Sequence, residues 1–372
     1  MKLLHTIKKY IKQETVLVFS IILAVISSFI VHPDDKYISY IDWNTIMLLF
    51  CLMTVMAGFK QLGVFRVIGM KLLSHTKNTR QLSLVLIFLP FVLSMFITND
   101  VSLITFVPFA IIVLKMADKE KLIIPIVTLQ TIAANLGSML MPMGNPQNLY
   151  LYASSHMHFS DFISLMLPYT LISALCLFLS LLLIKRKQIT KLDIEAPHIN
   201  KKYILLFCVE FILCLLSVAD VLDIRILTII IIIVITIIFN RSLFKQVDYS
   251  LLLTFIAFFV FIGNMGRITE FKNFIENILN GHEVLVSILS SQIISNVPTA
   301  LLLSGFTDNW NLLIIGTNIG GLGTLIASMA SLISYKQIAK EMPDNKMKYL
   351  GIFTLCNIIM LLILMFAHSL LT

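Results

Sequence analysis

The sequence predicts an all-α polytopic membrane protein built from two inverted repeats, with about nine spanning helices and two re-entrant hairpins. Three observations support this class. Of the 372 residues, 58% are hydrophobic and 13% are charged, whereas ordinary soluble domains have about 25% charged residues. The apolar runs are long enough to cross the ~30 Å hydrocarbon core of a bilayer. The same order of polar interruptions also occurs twice along the chain.

Nine apolar segments are predicted to span the membrane. They must be helical, because strands with unpaired backbone groups are too costly in lipid. Glycine-rich interruptions near the middle of 122–152 and 309–335 predict that these two spans are broken at mid-membrane. The nine segments are 16–31, 43–59, 122–152, 161–184, 203–219, 224–239, 249–264, 309–335 and 349–370.

Two further apolar stretches, 82–114 and 284–306, are interrupted at their centres by polar residues. The interruptions are Thr98-Asn99-Asp100 and Ser295-Asn296-Val297-Pro298. We predict that each stretch is a re-entrant hairpin of two half-helices. Its polar tip then lies at membrane depth, where only protein or water can satisfy the backbone.

The distribution of basic residues supports this layout. If the hairpins do not cross, 24 of the 28 Lys and Arg residues lie on the side of the N-terminus. The other side receives Lys36, Arg225, Arg267 and Lys272. Because Lys and Arg concentrate in cytoplasmic loops, we expect a cytoplasmic N-terminus and an external C-terminus in a plasma membrane of the bacterial type.

The recurrence of motifs divides the chain into repeats. Asp42-Trp43 and Asp248-Tyr249 each open a span that is followed by an amphipathic segment, a hairpin and a glycine-interrupted span. An odd number of crossings before the second copy predicts that the repeats are inverted. The predicted units are 1–184 (hairpin 82–114, broken helix 122–152), linker and extra span 185–219, and 220–372 (hairpin 284–306, broken helix 309–335).

Four polar breaks are predicted to meet near the bilayer midplane and to form a solute and ion site. Half-helix N-termini offer partial positive charge there, and unwound carbonyl groups offer ligands for a cation. Gly137, Gly320, Gly321 and Gly323 are predicted to break the helices, because glycine adopts unusual dihedral angles. The candidate residues in the breaks are Thr98, Asn99, Asp100, Gly144, Asn145, Pro146, Asn148, Ser295, Asn296, Thr299, Thr324, Ser328 and Ser331.

The first broken helix carries the most specific motif. Ala134-Asn135-Leu136-Gly137-Ser138 is followed by Pro142-Met143-Gly144-Asn145-Pro146-Gln147-Asn148-Leu149, which ends in a Gly-x-Pro-x-Asn element. This pattern resembles the ion transporter superfamily of divalent anion:sodium symporters, citrate transporters, arsenite permeases and a sodium/proton antiporter branch. Thr98-Asn99-Asp100 and Ser295-Asn296-Val297 occupy the places of that family's hairpin tips. The Asn-Asp pair is more similar to the arsenite-permease branch.

The resemblance implies an elevator-type carrier that forms a homodimer. A transport unit of hairpins and broken helices would slide against a scaffold, with segments 60–76 and 268–280 as connecting arms. The residues that the resemblance implies in the site are Asn99, Asn296, Asn145, Asn148, Ser328 and Ser331.

Two acidic residues are candidates for ion coupling. Asp100 lies at a hairpin tip, and an ionisable carboxylate at membrane depth tends to be functional. It could equally cap the second hairpin leg, since Asp suits a helix N-terminus. Glu210, in the extra span, could couple ions or be a neutral packing residue. The coupling ion is expected to be either a proton or Na⁺, for which Asn99, Asp100 and Asn296 are the candidate ligands, and no other cofactor is expected.

The sequence therefore predicts a cation-coupled secondary transporter of a small anion. The alternatives are an arsenite-type efflux carrier, a sodium/proton antiporter and an anion channel. Neither an enzyme nor an ATP-driven pump is expected, because nucleophile triads and Walker loops do not occur. The run Lys185-Arg186-Lys187 is explained by topology and lipid headgroups, so no nucleic-acid partner is expected.

Overall fold

The computed structural model describes residues 14–189, 201–219 and 224–371. Within these ranges the chain is helical apart from connecting turns and one isolated bridge between Asn78 and Gln188, which confirms the all-α class. The helices are α1 (Thr15–Ile30), α2 (Lys36–Tyr40), α3 (Trp43–Gln61), α4 (Val64–Leu73), α5 (Thr79–Ile97), α6 (Asn99–Met116), α7 (Ile123–Ser138), α8 (Pro146–Ser155), α9 (Phe159–Ser180), α10 (Lys201–Val218), α11 (Arg225–Phe239), α12 (Tyr249–Met265), α13 (Thr269–Leu279), α14 (Glu283–Ile294), α15 (Asn296–Ser304), α16 (Trp310–Gly320), α17 (Met329–Glu341) and α18 (Lys346–Leu371).

Several helices are long and apolar enough to cross a bilayer. Among the described residues six helices meet this standard, and α12 with α13 gives a seventh candidate that is bent by 106°. The six include α5 and α6, the legs of the first predicted hairpin. The predicted total of about nine spans also relies on shorter helices, such as α1 and α11 with 16 and 15 residues. The chain is a polytopic helical membrane protein.

Both hairpin tips interrupt the helices at the predicted residues, Thr98 and Ser295. The legs of the second hairpin have 12 and 9 residues and are half-helices. The legs of the first have 19 and 18 residues, so the prediction of half-helices is wrong there. The apolar sequence on either side of the tip holds no second polar break, so each leg stays helical as far as the next loop.

The two long legs nevertheless lie side by side. The Ser102 hydroxyl on α6 donates to the carbonyl of Pro90 on α5 at 3.3 Å. Gln130 of α7 lies within hydrogen-bond distance of both Leu86 and Phe106, which are on opposite legs. The chain therefore enters and leaves this hairpin at the same end, and the predicted sidedness of the following loops does not change.

The order of elements is similar in the two halves of the chain. Asp42 accepts the Thr45 amide at the start of α3, and Asp248 accepts the Leu251 amide at the start of α12, at 3.1 and 3.0 Å. A short helix, a hairpin, a broken helix and a long helix follow each time. The opposite orientation of the two copies in the membrane stays a prediction.

The helices pack as two groups. In the first, which we call the scaffold group, α1 packs on α12, while α10 and α11 pack on α3. The second, which we call the site group, comprises both hairpins, both broken helices, α9 and α18. The short helix α4 contacts α3 as well as α5, and α13 contacts α14. These two short helices were predicted as arms, and α4 does connect the groups.

Loops that are predicted to share a side of the membrane lie together. A cavity of about 590 Å³ is lined by Tyr40 and His156, in loops predicted to be external, and by Ala219 and Gly263, at the predicted external ends of two spans. A second cavity of about 1030 Å³ is lined by Thr79, by the turn before α7 and by the chain that follows α9, which were all predicted to lie on or near the opposite side. Which of these faces is cytoplasmic stays a prediction.

Three of the four glycines predicted to break the helices lie at or just after the end of α16, and only Gly137 differs from the prediction. Gly320 is the last residue of α16 and Gly321 follows it, so this helix ends where predicted, whereas Gly137 lies inside α7, one residue before its end. A Cβ on Gly137 would lie 2.0 Å from the Phe91 carbonyl oxygen of α5. Gly321 likewise lacks room for a Cβ, which would lie 2.9 Å from Asn296. Gly323 alone of the four has a positive φ, at 108°, so it fits the prediction.

We expect Gly137→Ala to lower the stability of the folded protein by about 1–3 kcal/mol, because the added methyl group must push α5 away from α7. Thermal unfolding of the purified protein in detergent measures this change. The matched control is Gly351→Ala in α18, where no described atom lies within 4 Å of the added Cβ. A Gly137→Ala variant that melts with the wild type would contradict this account of the contact.

Candidate functional site

Both hairpin tips have the same unusual backbone. Thr98 has φ 65° and ψ 150°, and Ser295 has φ 75° and ψ 155°. Residues other than glycine rarely adopt these angles, and each instance costs about 1–3 kcal/mol. The strain turns the chain sharply between two helices, so that Asn99 and Asn296 begin the second leg of each hairpin.

Asn135, at the end of α7, binds the first tip to the second broken helix. Its side-chain oxygen accepts from Asn99 Nδ2 at 3.0 Å and from Ser328 Oγ at 3.1 Å. Its amide nitrogen donates to Ser331 Oγ at 3.5 Å. All four side chains are buried. One carboxamide therefore joins a hairpin tip, a helix end and a break that comes almost 200 residues later in the chain.

Asn318, at the end of α16, makes the corresponding contacts to the first broken helix. Its amide nitrogen donates to Asn148 Oδ1 at 2.6 Å, and its oxygen accepts from Asn145 Nδ2 at 3.3 Å. Asn145 also donates to Ser138 Oγ at 3.3 Å and caps α8 by accepting the Asn148 backbone amide. Buried amides of this kind stay in a core only when they are paired.

The two networks follow the same rule. In each network, an Asn near the end of the first half of one broken helix binds two residues of the other broken helix. These two residues are the N-cap and the third residue of that helix's second half. Those pairs are Ser328 with Ser331, and Asn145 with Asn148. The two repeats thus exchange equivalent contacts.

The second hairpin tip lies against the second break. The Asn296 backbone amide donates to the Ala327 carbonyl at 3.0 Å, and the Ser295 hydroxyl donates to the same oxygen at 3.4 Å. Since Ala327 precedes Ser328, the connection continues through Asn135 to Asn99 at the first tip. The Ser138 hydroxyl, which accepts from Asn145, donates to the Asn135 carbonyl at 2.8 Å and so joins the two networks. Most of the predicted site residues are therefore brought into one continuous polar region.

Three predicted residues are placed differently. Thr324 is exposed, and its amide donates to Gln292 at 2.9 Å, outside the two networks. Thr299 is buried, but its hydroxyl has no hydrogen-bond partner among the described residues. Glu210 is fully buried on α10, which packs against α3, and neither of its oxygens has a described partner. Glu210 therefore belongs to the scaffold group and not to the polar site.

Asp100 faces a cavity of about 150 Å³. The cavity lies between the first hairpin tip, the first break, α3 and the start of α12, and its lining includes Thr98, Asn145, Lys60 and Asp248. Asp100 Oδ1 is buried and has no described partner. The cavity thus brings one lysine and two carboxylates to the N-termini of α6 and α8.

The predicted Na⁺ ligands have different surroundings. Asn99 faces the core, where its oxygen accepts the Asp100 backbone amide at 2.9 Å and its nitrogen binds Asn135. The Asp100 carboxylate instead faces the cavity. Of the three residues, Asp100 alone has a buried oxygen without a described partner, and such an oxygen suits a hard cation or a proton.

Three functional candidates were not selected from the sequence. In the sequence, Asn135 and Asn318 belong to the two glycine-containing motifs, and each is the first residue of an Asn-x-Gly pattern. That repeated pattern was the available signal. Lys60 was assigned to the positively charged side of the membrane, and no local pattern indicates that it reaches the cavity at Asp100.

Comparisons with known proteins agree with this architecture. The family model described as citrate transporter matches residues 4–309. An uncharacterized transporter of Methanocaldococcus jannaschii is 36% identical over 314 residues, which cover 82% of this chain and 84% of that protein. An inner membrane protein of Escherichia coli is 28% identical over 324 residues, or 84% of each chain. A silicon efflux transporter of Oryza sativa is 32% identical over 140 residues, which cover 37% of this chain and 28% of that protein.

The chain belongs to the citrate transporter family and is a multi-pass transmembrane transporter. This finding confirms the resemblance seen in the first broken helix. The family match ends at residue 309, just before α16. The hydrogen bonds of Asn318 and Ser328 to the first repeat nevertheless join α16 and α17 to the same site.

We expect Asn318→Ala to destabilise the protein by about 1–3 kcal/mol, because it removes the donor to the buried Asn148 side-chain oxygen and one of the two acceptors of Asn145 Nδ2. The thermal midpoint in detergent reports the loss. Asn311→Ala is the matched control, since Asn311 is exposed on the same helix. Equal midpoints for the two variants would show that the Asn318 network contributes little to stability.

Proposed function

We propose that the protein is a cation-coupled secondary transporter of a small anion, such as a di- or tricarboxylate or an oxyanion, and that it works by an elevator movement. One observation carries the proposal: the polar region borders a cavity at the first hairpin tip, whereas the second hairpin packs against the scaffold group. In the proposal this difference corresponds to a site that is open toward one side of the membrane, as alternating access requires.

The asymmetry is seen in the contacts between the groups. α15, the second leg of hairpin two, packs on α12. The corresponding region between α6 and α3 contains the cavity lined by Asp100, Val101 and Ile104. The groups also meet through α3 and α8. Sliding the site group along the scaffold would close this cavity and open the equivalent one beside α15, which is the elevator movement.

The cavity suits a small anionic solute. Two helix N-termini, those of α6 and α8, border it and contribute partial positive charge. Lys60 adds a full positive charge, and Thr98 and Asn145 add polar side chains. The volume of about 150 Å³ is several times the ~10–15 Å³ that one water molecule needs, so the cavity has room for a small carboxylate or oxyanion.

The carboxylates in the same cavity explain why a cation would be required. Two unit charges 4 Å apart interact by about 4 kcal/mol at an effective dielectric constant of 20, so an anion beside ionised Asp100 would be repelled. Na⁺ or a proton on Asp100 removes that repulsion. Solute binding and cation binding would therefore favour each other, which is the basis of coupling.

A neutral oxyacid is the second candidate solute. Two carboxylates and one lysine line the cavity, and this excess of negative charge accepts a neutral hydroxylated solute without any counter-ion. The Oryza sativa relative is named as a silicon efflux transporter. Proton-driven efflux of an arsenite-like or silicic acid-like solute is therefore the alternative. A sodium/proton antiporter would move no solute, and an anion channel would show solute flux that does not saturate.

Transport into proteoliposomes distinguishes these functions. We expect saturable uptake of a carboxylate or oxyanion that increases with an imposed Na⁺ or H⁺ gradient. A thermal-shift screen of carboxylates and oxyanions, with and without Na⁺, selects the solute to be tested. Uncoupled, non-saturating flux would indicate a channel, and cation exchange without solute movement would indicate an antiporter.

For Asp100→Asn we expect the stimulation by the ion gradient to fall about tenfold or more, since the carboxylate interaction exceeds the ~1.4 kcal/mol that a tenfold change requires. Membrane insertion should be retained. Asp344→Asn is the control, because Asp344 lies in an exposed turn. Full ion-coupled flux in Asp100→Asn would remove Asp100 from the proposed mechanism.

For the elevator movement we expect opposite changes in labelling at two introduced cysteines, in a background without the five native ones. Ile104→Cys lines the cavity and should react with a thiol reagent from the side of the N-terminus, whereas Thr299→Cys is buried and should not. Solute with its coupling ion should slow the first reaction and speed the second. Labelling of Ile104→Cys from both sides at equal rates would contradict alternating access.

A further inference from the structure

A large cavity lies apart from the polar site, at the end of the site group that is predicted to face the N-terminal side. Its volume is about 1030 Å³. It is bordered by the turn before α7, by the chain that follows α9, by Thr79 at the start of α5, and by α18. The transport proposal does not use this cavity.

The outer part of the cavity is basic. Lys119, Lys121, Lys185 and Lys187 line it, and within the described ranges none of the four forms an ion pair. The Lys119 amine contacts the Ala117 carbonyl at 3.3 Å. Asp118 and Glu120 also line the cavity, so its charged residues sum to +2.

The inner part is apolar and continues onto the outside of the helices. Leu129 on α7, with Ile352 and Cys356 on α18, forms its wall. Leu183, also in the wall, is 86% exposed, and Leu355 beside Cys356 is 61% exposed. Such side chains are stable in that exposure only against lipid, so the cavity opens toward the acyl region of the bilayer.

We propose that this cavity binds an anionic phospholipid from the surrounding membrane. The phosphate would contact Lys121, Lys185 and Lys187, and an acyl chain would lie along Leu129 and Ile352. Basic pockets between spanning helices bind anionic headgroups for this reason, and each Lys near the surface adds attraction. A soluble anion would use the lysines but would leave the apolar wall uncovered.

The bound lipid would stabilise a connection to the first hairpin. The Thr79 hydroxyl donates to the Lys185 carbonyl at 2.6 Å and accepts the Lys187 amide at 2.9 Å. Arg80 donates to the Ile184 carbonyl at 2.7 Å. The chain that carries two of the lipid-binding lysines is therefore also the chain that holds the start of α5.

Lipid titration of the purified full chain in neutral detergent tests the proposal. The probes are phosphatidylglycerol, phosphatidylcholine and soluble glycerol phosphate, and the readouts are native mass spectrometry and the thermal midpoint. We expect phosphatidylglycerol to bind about tenfold more tightly than phosphatidylcholine, given three lysines and screening by salt. Glycerol phosphate should have no effect at the same concentrations.

Two kinds of variant locate the site. The triple variant Lys121→Gln, Lys185→Gln and Lys187→Gln should lose the preference for phosphatidylglycerol. The matched triple of Lys71→Gln, Lys245→Gln and Lys340→Gln removes the same charge from exposed positions outside the cavity and should keep it. Cys356→Trp fills the apolar end and should weaken the binding of both lipids without changing any charge.

The possible results separate cleanly. Loss of preference in the cavity triple alone, or weaker binding by Cys356→Trp, supports the site. An equal loss in both triples would mean a general surface attraction, and an equal effect of glycerol phosphate would mean a soluble phosphate site. Absence of any preference in the wild type overturns the proposal even if a variant fails to fold.

Discussion

The structure depends on one constraint, which is that helices interrupted inside a membrane expose backbone groups and polar side chains that lipid cannot satisfy. This protein meets the constraint with buried carboxamides. Asn135 and Asn318 each close one break by binding the opposite repeat, at distances of 2.6 to 3.5 Å. The breaks are consequently stable only when both repeats are assembled, so the polar site and the fold form together.

The same constraint explains the close packing around the site. Strained residues at both tips and glycines against neighbouring backbone bring the hairpins and broken helices near enough for their amides to meet. The site group is therefore held by hydrogen bonds and tight contacts, whereas it meets the scaffold through few helix pairs. A rigid unit with a limited attachment is suited to movement as one body, because its internal contacts do not change.

Charge gives the site its asymmetry. Asp100 lies at a helix N-terminus, faces a small cavity and has an oxygen without a described partner. In the proposed function, a carboxylate in that position would make the affinity for an anion depend on a cation, whether Na⁺ or a proton. The fully buried Glu210 lines none of the cavities described above and is surrounded by the scaffold helices, so the two candidate acids have different environments.

The sequence by itself determined the class, the positions of both tips and the location of both broken helices, because polar, Gly and Pro interruptions of an apolar run act locally. The family resemblance was likewise visible in a continuous motif. Only the tertiary structure decided the long legs of the first hairpin, the packing role of Gly137, and the partners of Asn135, Asn318 and Lys60. Those features depend on contacts between residues that lie from 12 to almost 200 positions apart, whose distances no local pattern encodes.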